Sequence, residues 1–148
     1  MSRTGRMKNE VLCRVRRWIG PVMLALAISG VSSQSRVPGP EIPHFDKLAH
    51  FAVFGLLATL LHRAGAPHWK SWVSVLVVSA YGAIDEWHQY FVPGRSTELA
   101  DWIMDTLGAA LAVALYVHWA WYRRWLEFPL KRQRRIEKMA DATPNVPA

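Results

Sequence analysis

Cysteine is almost absent from this chain: Cys13 stands alone among 148 residues, which excludes an intramolecular disulfide and any CxxC metal site. Also missing are a serine-hydrolase elbow, an HExxH pair and a phosphate-binding P-loop. The net charge of +7 is of a size that nucleic-acid binders carry, yet no zinc-finger, RRM or helix-turn-helix spacing accompanies it, so no nucleic-acid partner is expected. Charge itself is scarce over long stretches. The basic residues gather at the two ends and in one short middle segment, a segregation that argues against both a soluble globule and a disordered chain.

What is present is apolar helix. Four segments approach the requirement of about 20 residues for crossing a bilayer: 18–32, 46–62, 69–90 and 101–125. The first is short, with its apolar run Val22 to Ile28 following Gly20-Pro21. Arg14, Arg16 and Arg17 before it also match the basic leader of a secretory signal; the segment is read as a retained anchor whose Arg and Trp side chains extend its reach. The turn Arg63 to His68 makes the second and third segments hairpin neighbours. The longer connectors carry Pro38-Gly39-Pro40, Pro43 and Pro93-Gly94, where irregular backbone is expected. The reading is an all-α integral membrane four-helix bundle: a basic leader over 1–17, a membrane domain over 18–126, and a basic, partly disordered tail over 127–148.

Fifteen of the eighteen Lys and Arg residues fall on one face of such a bundle, leaving Arg36, Lys47 and Arg95 on the other. The positive-inside bias then predicts a multi-pass protein of the cytoplasmic (inner) membrane with both termini cytoplasmic. Lys and Arg beside a membrane attract anionic headgroups at about 1 kcal/mol each, so membrane lipid is partner enough for the basic tail. Trp18, Trp69, Trp72, Trp119, Trp121 and Trp125 suit an inner aromatic belt, and Trp87 and Trp102 an outer one. His62 and His68, beside the inner turn, are read as solvated.

Acidic residues distribute the opposite way, with Glu41, Asp46, Asp85, Glu86, Glu98, Asp101 and Asp105 outside. Asp46/His50, Asp85/Gln89 and Asp101/Asp105 are each four apart, so each pair shares one face of its helix. Charges facing hydrocarbon are costly. The expected arrangement turns the three stripes inward into one polar pocket that opens outward, with Lys47 and Arg95 as counter-charges. Capping explains Asp46 and Asp101; it does not explain Asp85 and Glu86, which sit near a helix C-terminus.

Three stretches in order, Asp46-Lys47-Leu48-Ala49-His50-Phe51, the run Asp85-Glu86-Trp87-His88-Gln89-Tyr90 to Arg95-Ser96, and Asp101-Trp102-Ile103-Met104-Asp105 to Gly108, resemble the VanZ-like family, small bacterial membrane proteins named for an accessory teicoplanin-resistance protein. The resemblance covers about 46–115. It implies a cell-envelope role, with glycopeptide (teicoplanin) tolerance as the one the family's name points to, and importance for Asp46, Lys47, His50, Asp85, Glu86, Gln89, Arg95, Asp101 and Gly108. The chain departs from the family pattern at Asp105, where Asn is usual.

Several chemistries fit these residues. A binding module presents the pocket to an envelope lipid or wall precursor. Alternatively, a membrane-embedded enzyme acts on a lipid-linked or cell-wall substrate at the outer leaflet. In that case His50, Asp85 and Asp101 are the catalytic candidates, His50 as general acid or base oriented by Asp46 or Asp85. Asp46, Lys47, Glu86, Gln89, Arg95 and Asp105 are then binding residues. Lys47 and Arg95 suit a phosphate. Asp85, Glu86, Asp101 and Asp105 suit Mg²⁺ or Ca²⁺, so a divalent cation is an admissible cofactor. A purely structural reading pairs Arg95 with Asp85 or Glu86 to brace the Pro93-Gly94 turn.

Overall fold

A computed structural model describes residues 3–35, 45–65, 69–121 and 123–124, and these form four helices in chain order: α1 (Arg3–Ser32), α2 (Phe45–Gly65), α3 (Ser71–Gln89) and α4 (Leu99–His118). No strand occurs among the described residues. The all-α bundle expected from the sequence is therefore the observed architecture. The connector over 36–44, the turn over 66–68 and the tail beyond 124 lie outside the described residues.

The helix ends follow local chemistry. Asp46 stands in the first turn of α2 with His62 and Arg63 in its last, and α4 carries Asp101 in its first turn and His118 in its last. Each arrangement complements the helix dipole. After α3 the backbone reverses at Pro93-Gly94. Gly94 has φ 82 and the Arg95 N–H donates to the Val92 carbonyl at 3.2 Å, a tight turn that needs a residue free to enter the left-handed region. The helical boundary differs most at α1, which begins well before the apolar run and passes through Pro21. Lys, Arg, Glu and Leu in the leader are good helix formers, so the helix starts although the apolar face does not.

α2 and α4 are the helices, among the described residues, that are long and apolar enough to cross a membrane. α1 and α3, expected as spans too, are less apolar: α1 opens on its basic leader, and α3 closes on Asp85, Glu86, His88 and Gln89.

The chain divides into two compact units, Met1–Ala114 and Leu115–Ala148. In the first, Ile28, Phe54, Leu57, Ala58, Leu61, Val78, Ala109 and Val113 form the core. Small residues set its thickness. A Cβ on Gly55 would meet the Gly108 carbonyl oxygen at 2.9 Å, and one on Gly108 would collide with the Phe51 carbonyl, so α2 and α4 cross backbone to backbone, as small residues permit. α1 is held to α3 by polar contacts: the Tyr81 hydroxyl donates to the Ala25 carbonyl at 2.7 Å and lies 2.8 Å from Ser29 Oγ. α3 and α4 are joined by Trp102 Nε1–H to the Ser79 carbonyl at 3.0 Å and by the Ser79 and Thr106 hydroxyls at 2.8 Å. Trp18 and Trp69, both assigned to the inner belt, meet edge to face with centroids 5.7 Å apart.

His62 corrects the sequence reading. It is 8% exposed, with Nδ1 3.3 Å from Ser74 Oγ. The hairpin folds α3 back over the last turns of α2 and encloses the ring. In the second unit the indoles of Trp119 and Trp121 lie 5.8 Å apart, tilted by 36°.

Candidate functional site

The C-terminal ends of α1 and α3 and the N-terminal ends of α2 and α4 carry side chains that bond to one another at one end of the first unit. α2 supplies Asp46, Lys47 and His50, α3 supplies Asp85, Glu86 and Gln89, and α4 supplies Asp101 and Asp105. The residues that the i, i+4 spacing put on common faces therefore do converge, but their partners differ from the expected ones.

His50 pairs with Asp105, not with Asp46 or Asp85. Its Nδ1 lies 2.9 Å from Asp105 Oδ1, and Asp105 is fully buried. The ring also stacks on Phe54, centroids 5.8 Å apart and 11° from parallel. An ionised carboxylate can only accept, so Nδ1 carries the shared proton, and in the neutral imidazole Nε2 keeps its lone pair. Gly82 makes this geometry possible, because a Cβ there would stand 2.8 Å from Asp105 Oδ2. That oxygen is buried without a hydrogen-bond partner.

Lys47 gathers the rim acids. Its Nζ reaches Glu98 Oε2 at 2.6 Å, Asp101 Oδ1 at 3.1 Å and Asp46 Oδ2 at 3.4 Å. Asp101 is buried, whereas the Asp46 side chain is 58% exposed. Asp46 is thus an outlying member of the site. Asp85, buried beneath, takes the Ser32 hydroxyl at 2.8 Å and Gln89 Nε2 at 3.0 Å on Oδ2. The Asp85/Gln89 pair is the one i, i+4 pair among the three whose members bond each other. Glu86 receives the Glu98 backbone N–H on Oε2 at 3.0 Å, while Oε1 is buried with no partner.

Arg95 makes no ion pair with Asp85 or Glu86 among the described residues. Its Nε is buried and unpartnered. The brace on the Pro93-Gly94 turn is instead the Glu98 N–H on Glu86. Lys47 and the carboxylates of Asp46, Glu98 and Asp101 lie together where α2 and α4 begin. A cleft of about 330 Å³ is lined by Ala83, Glu86, Thr97, Glu98, Leu99 and Trp102. Glu86 is shared by the cleft and the buried cluster.

Two participants escaped the sequence reading. Ser32 meets Asp85 from α1; the run Ser29, Ser32 and Ser33 on one helix face was the available signal, and Ser33 Oγ likewise lies 3.1 Å from His88 Nε2. Glu98, counted only among the outer acids, is exposed and bonds Lys47 through its side chain and Glu86 through its backbone. Nothing in local spacing announces that contact, which spans the α3–α4 turn.

Chemically, the arrangement offers an oriented imidazole, two buried carboxylate oxygens in need of a partner and one guanidinium nitrogen in the same condition. A family model described as VanZ/LLP1 matches residues 9–122. No curated protein and no solved structure matches the chain.

Proposed function

Because the chain belongs to the VanZ/LLP1 family, we propose that it is a multi-pass protein of the cytoplasmic membrane, with both termini inside, that turns its polar helix ends outward to bind an envelope lipid or wall precursor. Glycopeptide (teicoplanin) tolerance is the phenotype this binding would serve. The observation that carries the reading is the set of buried polar atoms without partners, Glu86 Oε1, Arg95 Nε and Asp105 Oδ2, on side chains belonging to the converging helix ends and the turn between α3 and α4. Proteins rarely leave such atoms unmatched, and each costs about 1–3 kcal/mol when they do. A ligand with both donors and acceptors supplies what is missing. The adjoining cleft, with Leu99 and Trp102 on its wall, gives an apolar chain somewhere to lie. Arg95, whose fork matches a phosphate, is the anchor for an anionic headgroup.

The His50–Asp105 pair favours a second reading, a membrane-embedded enzyme acting on the same class of substrate with His50 Nε2 as general base. One experiment separates the two. Envelope lipids and wall precursors are profiled by mass spectrometry in cells with and without the protein, and lipid co-purifying with it is identified, for wild type, Arg95→Ala and His50→Ala. Binding predicts an enriched lipid that is lost in Arg95→Ala, with an unchanged cellular profile. Catalysis predicts an altered profile that depends on His50. No enrichment, no altered profile and unchanged teicoplanin sensitivity would dismiss both.

A further inference from the structure

Buried negative charge at this end of the bundle exceeds what the chain provides to balance it. Asp85, Glu86, Asp101 and Asp105 are each no more than 7% exposed, a depth at which carboxylates persist when they are paired or bound to metal. Asp85 is met by the neutral donors of Ser32 and Gln89, Asp101 by Lys47 and Asp105 by His50. Glu86 has a single backbone N–H, and its second oxygen is buried with nothing opposite.

We propose that this oxygen belongs to a site for one divalent transition-metal ion of the Zn²⁺ or Mn²⁺ class, with His50, Glu86 and Asp101 as ligands and Asp105 as the residue that positions His50. One ligand atom from each of the three lies within 4.8 Å of the others. Ligands in a tetrahedron with bonds of about 2.0–2.1 Å stand roughly 3.4 Å apart, so closure asks for side-chain movements on the order of an ångström. The histidine is already prepared. Asp105 holds the Nδ1 proton and leaves Nε2 to coordinate, the carboxylate–histidine–metal relation common in metalloproteins. Lys47 engages Asp101 through one oxygen, Oδ1, and a carboxylate has a second.

The donor set selects the ion. One imidazole nitrogen with two carboxylates suits Zn²⁺ or Mn²⁺, whereas Mg²⁺ and Ca²⁺ favour oxygen alone. Three protein ligands leave a coordination position open to water or to a bound anion. The ligands come from α2, α3 and α4, so the ion ties three helices together and stabilises the folded chain by mass action. The site requires no lipid: with Glu86 Oε1 on the ion, Arg95 Nε and Asp105 Oδ2 remain for an envelope ligand, and metal content is read without one.

The test uses the full chain in detergent, stripped with a chelator and dialysed separately against Zn²⁺, Mn²⁺ and Mg²⁺, with metal per polypeptide and the thermal unfolding midpoint as readouts. Expected are one Zn²⁺ or Mn²⁺ per chain, a raised midpoint, and weaker retention of Mg²⁺. Glu86→Gln keeps an acceptor for the Glu98 N–H, so it should fold and lose the ion, as should His50→Ala. Asp105→Asn should bind about 10- to 100-fold more weakly, and Lys70→Ala, exposed at the opposite end of α3, should match wild type. A folded wild type that retains neither ion would overturn the proposal. So would Glu86→Gln or His50→Ala variants with wild-type metal content. If His50→Ala does not fold, Glu86→Gln decides.

Discussion

A carboxylate at zero exposure is held by whatever meets its two oxygens, and Asp105 has an imidazole on one and empty contact with Gly82 on the other. Asp105→Asn keeps an oxygen for His50 Nδ1–H and replaces the unpartnered oxygen with an amide, so its stability should change by no more than about 1 kcal/mol. Asp105→Ala should lose more, about 1–3 kcal/mol, because it leaves the Nδ1–H of the half-buried His50 ring without an acceptor. Equal losses in urea unfolding would show that the pair does not hold the fold together. Gly82→Ala sets two magnitudes against each other. Alanine in a helix is worth up to about 1 kcal/mol over glycine, but the new methyl would press on a side chain that cannot retreat, at about 1–3 kcal/mol. Net destabilisation is the expected sign, and a raised unfolding midpoint would contradict the tight contact at Asp105. At this scale the sequence was legible in part. Spacing identified Asp85 with Gln89 because an i, i+4 bond is made within one helix. It assigned His50 the wrong carboxylate because Asp105 lies 55 positions away on another helix, and distance along the chain carries no trace of that neighbour.

Among the elements, the crossing of α2 and α4 is the least forgiving. The atom opposite Gly108 is a backbone carbonyl on α2, which cannot rotate aside as a side chain would. Gly108→Ala must therefore push the helices apart, and it should reduce the amount of folded protein in detergent severely. Gly20→Ala meets Leu60 at ordinary distance, 3.9 Å, and should be neutral or slightly stabilising in the same assay, up to about 1 kcal/mol. Comparable loss in both variants would mean that the two helices do not depend on this approach. The helices themselves were readable, since runs of apolar residues bounded by Pro, Gly and charge leave few alternatives. The start of α1 was not. Its leader forms helix through propensity without an apolar face, and hydropathy is blind to that. The serines that join α1 to α3 were passed over for a related reason: serine is common at helix ends, and its hydroxyl gains significance only when Asp85 or Tyr81 is known to be opposite.

For the molecule as a whole, the decisive physical quantity is the separation of charge sign along the chain, with basic residues at the termini and between α2 and α3 and acids near the ends of three helices that converge. Sequence alone exposes that segregation, because orientation in a membrane is set by Lys and Arg near the spans. It does not expose the ligand, since the same carboxylates serve a lipid, a cation or the fold. The orientation itself is open to direct test. Cys13 is the chain's single cysteine, so Cys13→Ala gives a background without thiols into which one cysteine is placed at a time. Ser96, exposed in the turn between α3 and α4, and Lys70, exposed at the start of α3, should lie on opposite sides of the membrane. In intact cells a membrane-impermeant maleimide should label Ser96→Cys and spare Lys70→Cys, and after permeabilisation both should react. The reverse pattern would invert the orientation and bring the acidic helix ends to the cytoplasm. Equal labelling in intact cells would remove α3 as a span, because two exposed sites separated by the length of α3 can share one side only if that helix does not cross.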